Sequence, residues 1–186
     1  MDNKKIFITF GAGEKQYIEA GKRLTEQAIK TNYFDKTIFY NESILQQNYK
    51  FWKHHSSFIL NNKRGYGYWI WKPYIILNTI TNMKDGDILM YLDSGCEIGG
   101  EIKNNIPTFF EYVKNEKIIC SKNGCIIKDW TKMDLLVYLN LEKDDIINKH
   151  MYQGGTILLY VCEETRKFIK KWYKICCNYN LIDDSK

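Results

Sequence analysis

Apolar residues recur along this chain with two different periods, and the periods take turns. Ile6 to Phe10 is a short β-branched and aromatic run that stops at Gly11-Ala12-Gly13, which predicts a strand with a tight exit. From Glu14 to Ile29, the positions Ile18, Leu24, Ala28 and Ile29 approximate one face of a helix. Thr37 to Tyr40 predicts a second strand, and residues 44–60 carry a weaker helical pattern with Phe51, Trp52, Phe58 and Ile59. In Arg64 to Pro73, two glycines stand among four large rings and predict a shaped loop, with Pro73 in the first turn of a helix over 73–82. Asp85-Gly86 is a turn signal. Asp87 to Leu92 is nearly continuous and apolar, as a central strand buried on both faces requires.

The second half repeats the alternation. A short helix is expected to begin near Pro107, and Ile118–Cys120 and Cys125–Ile127 flank Asn123-Gly124 as in a hairpin. Thr131 is placed to cap a helix carrying Met133, Leu135, Leu136 and Leu139. Gln153-Gly154-Gly155 precedes a strand over 156–161, and a last helix over 163–178 carries Phe168, Ile169, Trp172 and Ile175. Strands alternating with helices predict an α/β layer architecture, and with no linker or repeat the 186 residues form one domain.

Composition narrows the function classes. No apolar run approaches the ~20 residues that cross a bilayer. Met-Asp-Asn-Lys-Lys runs straight into the first strand, so no secretory leader and a cytoplasmic location are expected. The net charge of +5 comes from scattered rather than clustered lysines, which argues against a nucleic-acid binder while suiting a phosphate-bearing ligand. The six cysteines form no Cys-x-x-Cys pair and the three histidines show no metal-finger spacing, so reduced thiols are expected.

Two places carry candidate chemistry. Phe10-Gly11-Ala12-Gly13 lets backbone approach a ligand closely, or makes a plain strand-to-helix turn. Gln16 stands where a dinucleotide fingerprint needs its third glycine, which leaves a nicotinamide oxidoreductase a distant reading. Asp93 ends the buried strand and is followed by Ser94, Gly95, Cys96 and Glu97. Ligands of open α/β sheets bind beyond the carboxyl ends of strands, where a carboxylate can hold a divalent cation against a diphosphate. In an extended chain Asp93 and Glu97 would share one side.

Arg64 to Ile98, with its Gly-Tyr-Trp-Ile-Trp-Lys-Pro loop and Tyr-Leu-Asp-Ser-Gly-Cys-Glu-Ile, resembles a group of GT-A-type glycosyltransferases of bacteria and giant viruses. The opening Ile-Thr-Phe-Gly-Ala-Gly-Glu-Lys-Gln-Tyr, Asp-Trp-Thr-Lys-Met-Asp at 129–134 and Gln-Gly-Gly-Thr-Ile at 153–157 extend the resemblance over most of the chain. It implies a single nucleotide-diphospho-sugar transferase domain over 1–186, a mixed and mainly parallel sheet with helices on both faces. The implied reaction moves a sugar from a nucleoside diphosphate donor to an acceptor hydroxyl of a glycan. Phe10, Gly11, Ala12, Gly13, Lys72, Asp93 and Ser94 would bind the donor, and Trp130, Gly154 and Gly155 the acceptor. Asp93 takes the first position of the Asp-x-Asp motif, whose second is here Gly95, so Glu97 would complete a manganese or magnesium site. Candidates for a catalytic base are Asp129, Asp134, Asp183 and Asp184. The group usually continues past the last helix with a segment containing His, Asp and Gln, which this chain is expected to lack. A viral member would work in the host cytoplasm or virion. The alternative is a non-catalytic nucleotide- or carbohydrate-binding module of the same fold.

Overall fold

The computed structural model describes residues 3–185. β1 (Lys5–Phe10) leads through α1 (Lys15–Thr31) to β2 (Lys36–Tyr40). Four helices follow: α2 (Glu42–Gln47), α3 (Tyr49–Asn61), the single turn α4 (Gly65–Tyr68) and α5 (Trp71–Thr81). After β3 (Ile88–Leu92) come α6 (Gly100–Glu116), β4 (Ile118–Ile126), and the short α7 (Ile127–Trp130), α8 (Met133–Leu139) and α9 (Asp144–Ile147). β5 (His150–Tyr160), α10 (Glu163–Cys176) and a 3-10 turn over Tyr179–Leu181 complete the chain.

The five strands order as β2-β1-β3-β5-β4. β1 is parallel to β2 and to β3, whereas β5 runs antiparallel to both β3 and β4. Only β5 therefore runs against the rest, and the sheet is mixed, with two parallel and two antiparallel pairings. Strand alternation splits the core into two layers. Ile6, Ile8, Phe10, Leu89, Tyr91, Ile157 and Leu159 meet Ile75, Ile76 and Ile80 of α5 and Ile169 of α10. Phe7, Ile88, Met90, Leu92 and Leu158 meet Leu24 and Ala28 of α1 and Ile106, Phe110 and Val113 of α6. Every residue of β3 is buried, which is why that stretch had no polar alternation to read.

Four expectations need correction. α6 begins at Gly100, not near Pro107, which lies inside it. Apolar Ile106, Phe110 and Val113 hold the inner face, and the proline is tolerated on the exposed one. Asn123-Gly124 does not reverse the chain: β4 is one strand whose partner is β5, and the signal marks slips in register on either side of Lys122. The Asn123 side chain accepts from Cys125 N at 3.1 Å, an Asx turn spent on an irregularity within a strand. Thr131 closes α7 rather than capping α8, whose N-cap is Lys132. Phe168 is exposed, because the buried stripe of α10 runs through Thr165, Ile169 and Cys176.

α3 is fastened to the chain's end by a buried histidine. Tyr179 Oη donates to His54 O (3.0 Å) and lies 2.8 Å from His55 Nδ1, while Tyr173 Oη lies 2.9 Å from His55 Nε2. With the Tyr179 proton already committed, Nδ1 carries the imidazole hydrogen and Nε2 accepts from Tyr173. Burial, then the neighbouring His54, pushes the His55 pKa down to about 4, so the ring is neutral at pH 7. A cleft of about 600 Å³ opens beside it between α3, α5 and α10, lined by Phe51, Tyr74 and Tyr173 among others.

Candidate functional site

The chain leaves β1 for β2 on one side and returns through α5 to β3 on the other. The carboxyl ends of β1 and β3 therefore form the crevice where open α/β sheets bind ligands. Thr9 Oγ1 donates to Leu92 O at 2.7 Å and joins the two strand ends.

Asp93 stands at that edge, and α5 brings Lys72 to it. The ammonium lies 2.9 Å from Asp93 Oδ1, with side chains 7% and 41% exposed respectively. Lys72 Nζ also donates to Gly154 O at 3.0 Å. The Tyr91 hydroxyl, one full strand period before Asp93, donates to the same Oδ1. Its burial and the adjacent carboxylate raise the phenol's pKa well above its ordinary value, keeping it a donor. Nζ further faces the rings of Tyr91 and Trp71, at 5.2 and 5.7 Å from their centroids. A buried ammonium is stable only with such partners.

β5 supplies the third wall. Asp93 N donates to Gly155 O at 2.8 Å, and a Cβ built on Gly155 would lie 2.8 Å from Asp93 Oδ2. A side chain at 155 would thus displace the carboxylate. Cys96 Sγ touches the same carbonyl at 3.7 Å, and burial, then the Asp93 charge, pushes this thiol up. From α1, Arg23 donates to the carbonyls of Ser94 (3.2 Å) and Cys96 (2.9 Å) and clamps the loop after β3.

The aromatic loop before α5 has an unusual backbone. Gly65, Tyr66, Gly67, Tyr68 and Trp69 all have positive φ, between 49° and 83°, forming one left-handed turn. The Trp71 indole donates to Gly65 O (2.9 Å) and the Tyr68 hydroxyl to Asp184 Oδ2 (2.9 Å), while Arg64 pairs with Asp184 at 2.5 Å. The turn aims Trp71 into the core, where it stacks on Phe10 at 3.8 Å, with Lys72 next in line.

The sequence-predicted residues thus divide. Lys72, Asp93, Gly154 and Gly155 come together. Phe10, Gly11 and Ala12 are buried beside them, and a Cβ at Gly11 would run into the Tyr17 carbonyl, so this glycine serves strand-to-helix packing. Gly13 is exposed, and Ser94 is buried with its carbonyl held by Arg23. Glu97 turns toward α1, where Gln27 Nε2 donates to its Oε1 at 3.3 Å. Asp129 and Trp130 are exposed on α7. Asp134 lies 3.8 Å from Lys132, which pairs with Asp183 at 2.8 Å. Hydrogen bonds from Lys132 and Ser185 lower the Asp183 pKa, and those from Arg64 and Tyr68 lower that of Asp184. Carboxylates stabilised in this way are poorer proton acceptors. Tyr91, Arg23 and Gln27 were missed as site residues; the one signal was a lone phenol two positions before Asp93 in an otherwise aliphatic strand.

These donors do not fit a divalent cation. Oδ1 of Asp93 already receives two donors, position 95 has no side chain, and Glu97 is engaged elsewhere. Among the described residues no three His, Cys, Asp or Glu side chains gather as a metal site.

Comparison with known proteins agrees at the level of architecture. No family model matches the sequence, and no curated protein matches it. Among solved structures, the chain is similar to a glycosyltransferase involved in the glycosylation of the major capsid of PBCV-1, with a TM-score of 0.50 at 13% identity. The match covers 91% of this chain and 65% of the other. At that identity the likeness is one of fold: this α/β chain is similar in fold to that protein and spans about two thirds of its length.

Proposed function

We propose that this chain is a glycosyltransferase that binds a nucleoside diphosphate sugar at the carboxyl edge of its sheet, between β1 and β3. The observation that carries the reading is the buried Lys72 paired with the strand-ending Asp93 at this edge, in a fold shared with a glycosyltransferase. The exposed side of the Asp93 carboxylate accepts hydrogen bonds from donor hydroxyls, and the ammonium beneath it faces the diphosphate. Gly154 lets substrate approach the β5 backbone, the space at Gly155 being taken by the Asp93 carboxylate, and the Trp130 ring offers the acceptor sugar an apolar face.

In the transfer, the bond from the anomeric carbon to the diphosphate oxygen breaks and its electron pair leaves with the diphosphate. The acceptor oxygen forms the new bond, and its proton passes to a carboxylate. Asp129 is the first to test as that base, being the one of the four candidates without an ion pair among the described residues.

The test is calorimetric binding of a panel of nucleoside diphosphates and their sugars, followed by donor hydrolysis and transfer. A nucleoside diphosphate sugar that binds wild type and is lost by tenfold or more in Asp93→Asn, through the missing contact to its sugar hydroxyls, supports the reading. Equal affinity in the two proteins, or a preference for NAD over every diphosphate, refutes it. Binding without turnover would identify a non-catalytic module.

A further inference from the structure

We infer that the Lys72 ammonium stands in for a divalent cation, so that the diphosphate of a nucleotide ligand binds here without metal. The inference rests on the donor reading above and specifies which group hydrogen-bonds its diphosphate oxygens.

The argument begins with the count of donors on Lys72. An ammonium has three N–H bonds. Asp93 Oδ1 at 2.9 Å takes one and Gly154 O at 3.0 Å takes a second. The third has no acceptor among the described residues, and it belongs to a charge almost sealed from water. A fixed, desolvated cation with one unspent donor at a sheet edge is built for an anionic oxygen. Its position is over-determined: the side chain leaves the second residue of α5, with Pro73 behind it, and the Tyr91 and Trp71 rings flank it.

The carboxylate side points the same way. Ammonium and phenol together occupy Oδ1, and Oδ2 is pressed toward the Gly155 Cα, too close for even a methyl group there. The next carboxylate along the loop, Glu97, is turned to Gln27 on α1. Asp93 therefore spends its charge on Lys72. Its neutralised state removes the repulsion that a bare carboxylate would direct at a diphosphate, which is the other service a cation performs.

The experiment uses the whole chain with UDP, GDP, CDP and ADP as probes. Each is titrated calorimetrically in EDTA and again in manganese, and protein-bound manganese is followed by its electron paramagnetic resonance signal. The expected result is one diphosphate whose affinity agrees within about threefold in the two conditions. Its affinity should fall at least tenfold in Lys72→Met, and wild type and Asp93→Asn should bind equally little manganese. A tenfold or greater gain on adding manganese, with bound manganese lost in Asp93→Asn, overturns the inference and leaves the donor reading standing. Binding of none of the four in either condition brings down the donor reading and this inference with it. Should Lys72→Met fail to fold by circular dichroism, the wild-type comparison of EDTA with manganese decides alone.

Discussion

Acidification from pH 7.5 to 5 protonates a free imidazole but must work against the fold to protonate His55. That ring lies 5% exposed between the Tyr173 and Tyr179 hydroxyls, with its one hydrogen on Nδ1. Its pKa falls from 6.5 to about 4 on folding. Between those values the unfolded chain binds the extra proton and the native chain does not, so stability falls as pH falls. The full effect of the shift is on the order of 3 kcal/mol, and about 2 kcal/mol of it is lost by pH 5. For a chain of this size that lowers the melting temperature by about 5 °C. The assay is urea unfolding followed by far-UV circular dichroism at pH 7.5, 6 and 5, on wild type and on His55→Gln. Wild type should show the loss, and the variant, less stable at pH 7.5, should show a shallower dependence over the same range. Identical pH slopes in the two proteins, or a His55 titration by NMR centred near 6.5, would refute the reasoning.

Three further outcomes are expected. Gly155→Ala pushes a methyl group against Asp93 Oδ2, so diphosphate affinity should drop about tenfold while stability changes by about 1 kcal/mol; unchanged calorimetric affinity would show that this contact is idle. Pro107→Ala restores an N–H inside α6 and a bond to the Lys103 carbonyl, and should raise unfolding free energy by about 2 kcal/mol in urea titrations, net of the looser unfolded chain. Thiol titration in denaturant without reductant should count all six cysteines, and a reproducible deficit of two or four would show disulfides.

What was legible in the sequence followed from how each element is buried. α10 declared itself by a helical period and β1 and β3 by short, nearly continuous apolar runs, and Asp93 stood out by ending one of those runs. α6 was hidden because residues 100–105 carry little apolar stripe and Pro107 imitates a helix start. β4 was misread because Asn123-Gly124 is a local turn signal, whereas its role depends on a partner strand about thirty residues away. In the site, Asp93 and Lys72 were nameable from the sequence, but their contact was not, since 21 positions and a helix separate them. Arg23 and Gln27 gave no signal, because their work is to bond backbone and loop groups that no motif encodes.

The left-handed turn over Gly65–Trp69 sets two selections against each other. A left-handed backbone costs an L-residue roughly 1–2 kcal/mol, so glycine would relieve positions 66, 68 and 69. Yet the Tyr66 ring lies against Gly13, Tyr68 holds Asp184, and Trp69 sits beneath the Arg64 guanidinium. Backbone energy and side-chain contact therefore rank the twenty residues in opposite orders at three positions of one turn. In a saturation scan read by protein abundance, these positions should score glycine unusually well for an aromatic site. A scan read by ligand binding should instead keep the rings. The gap between those two scores would measure, residue by residue, how much folding stability the turn gives up to aim Trp71 and Lys72.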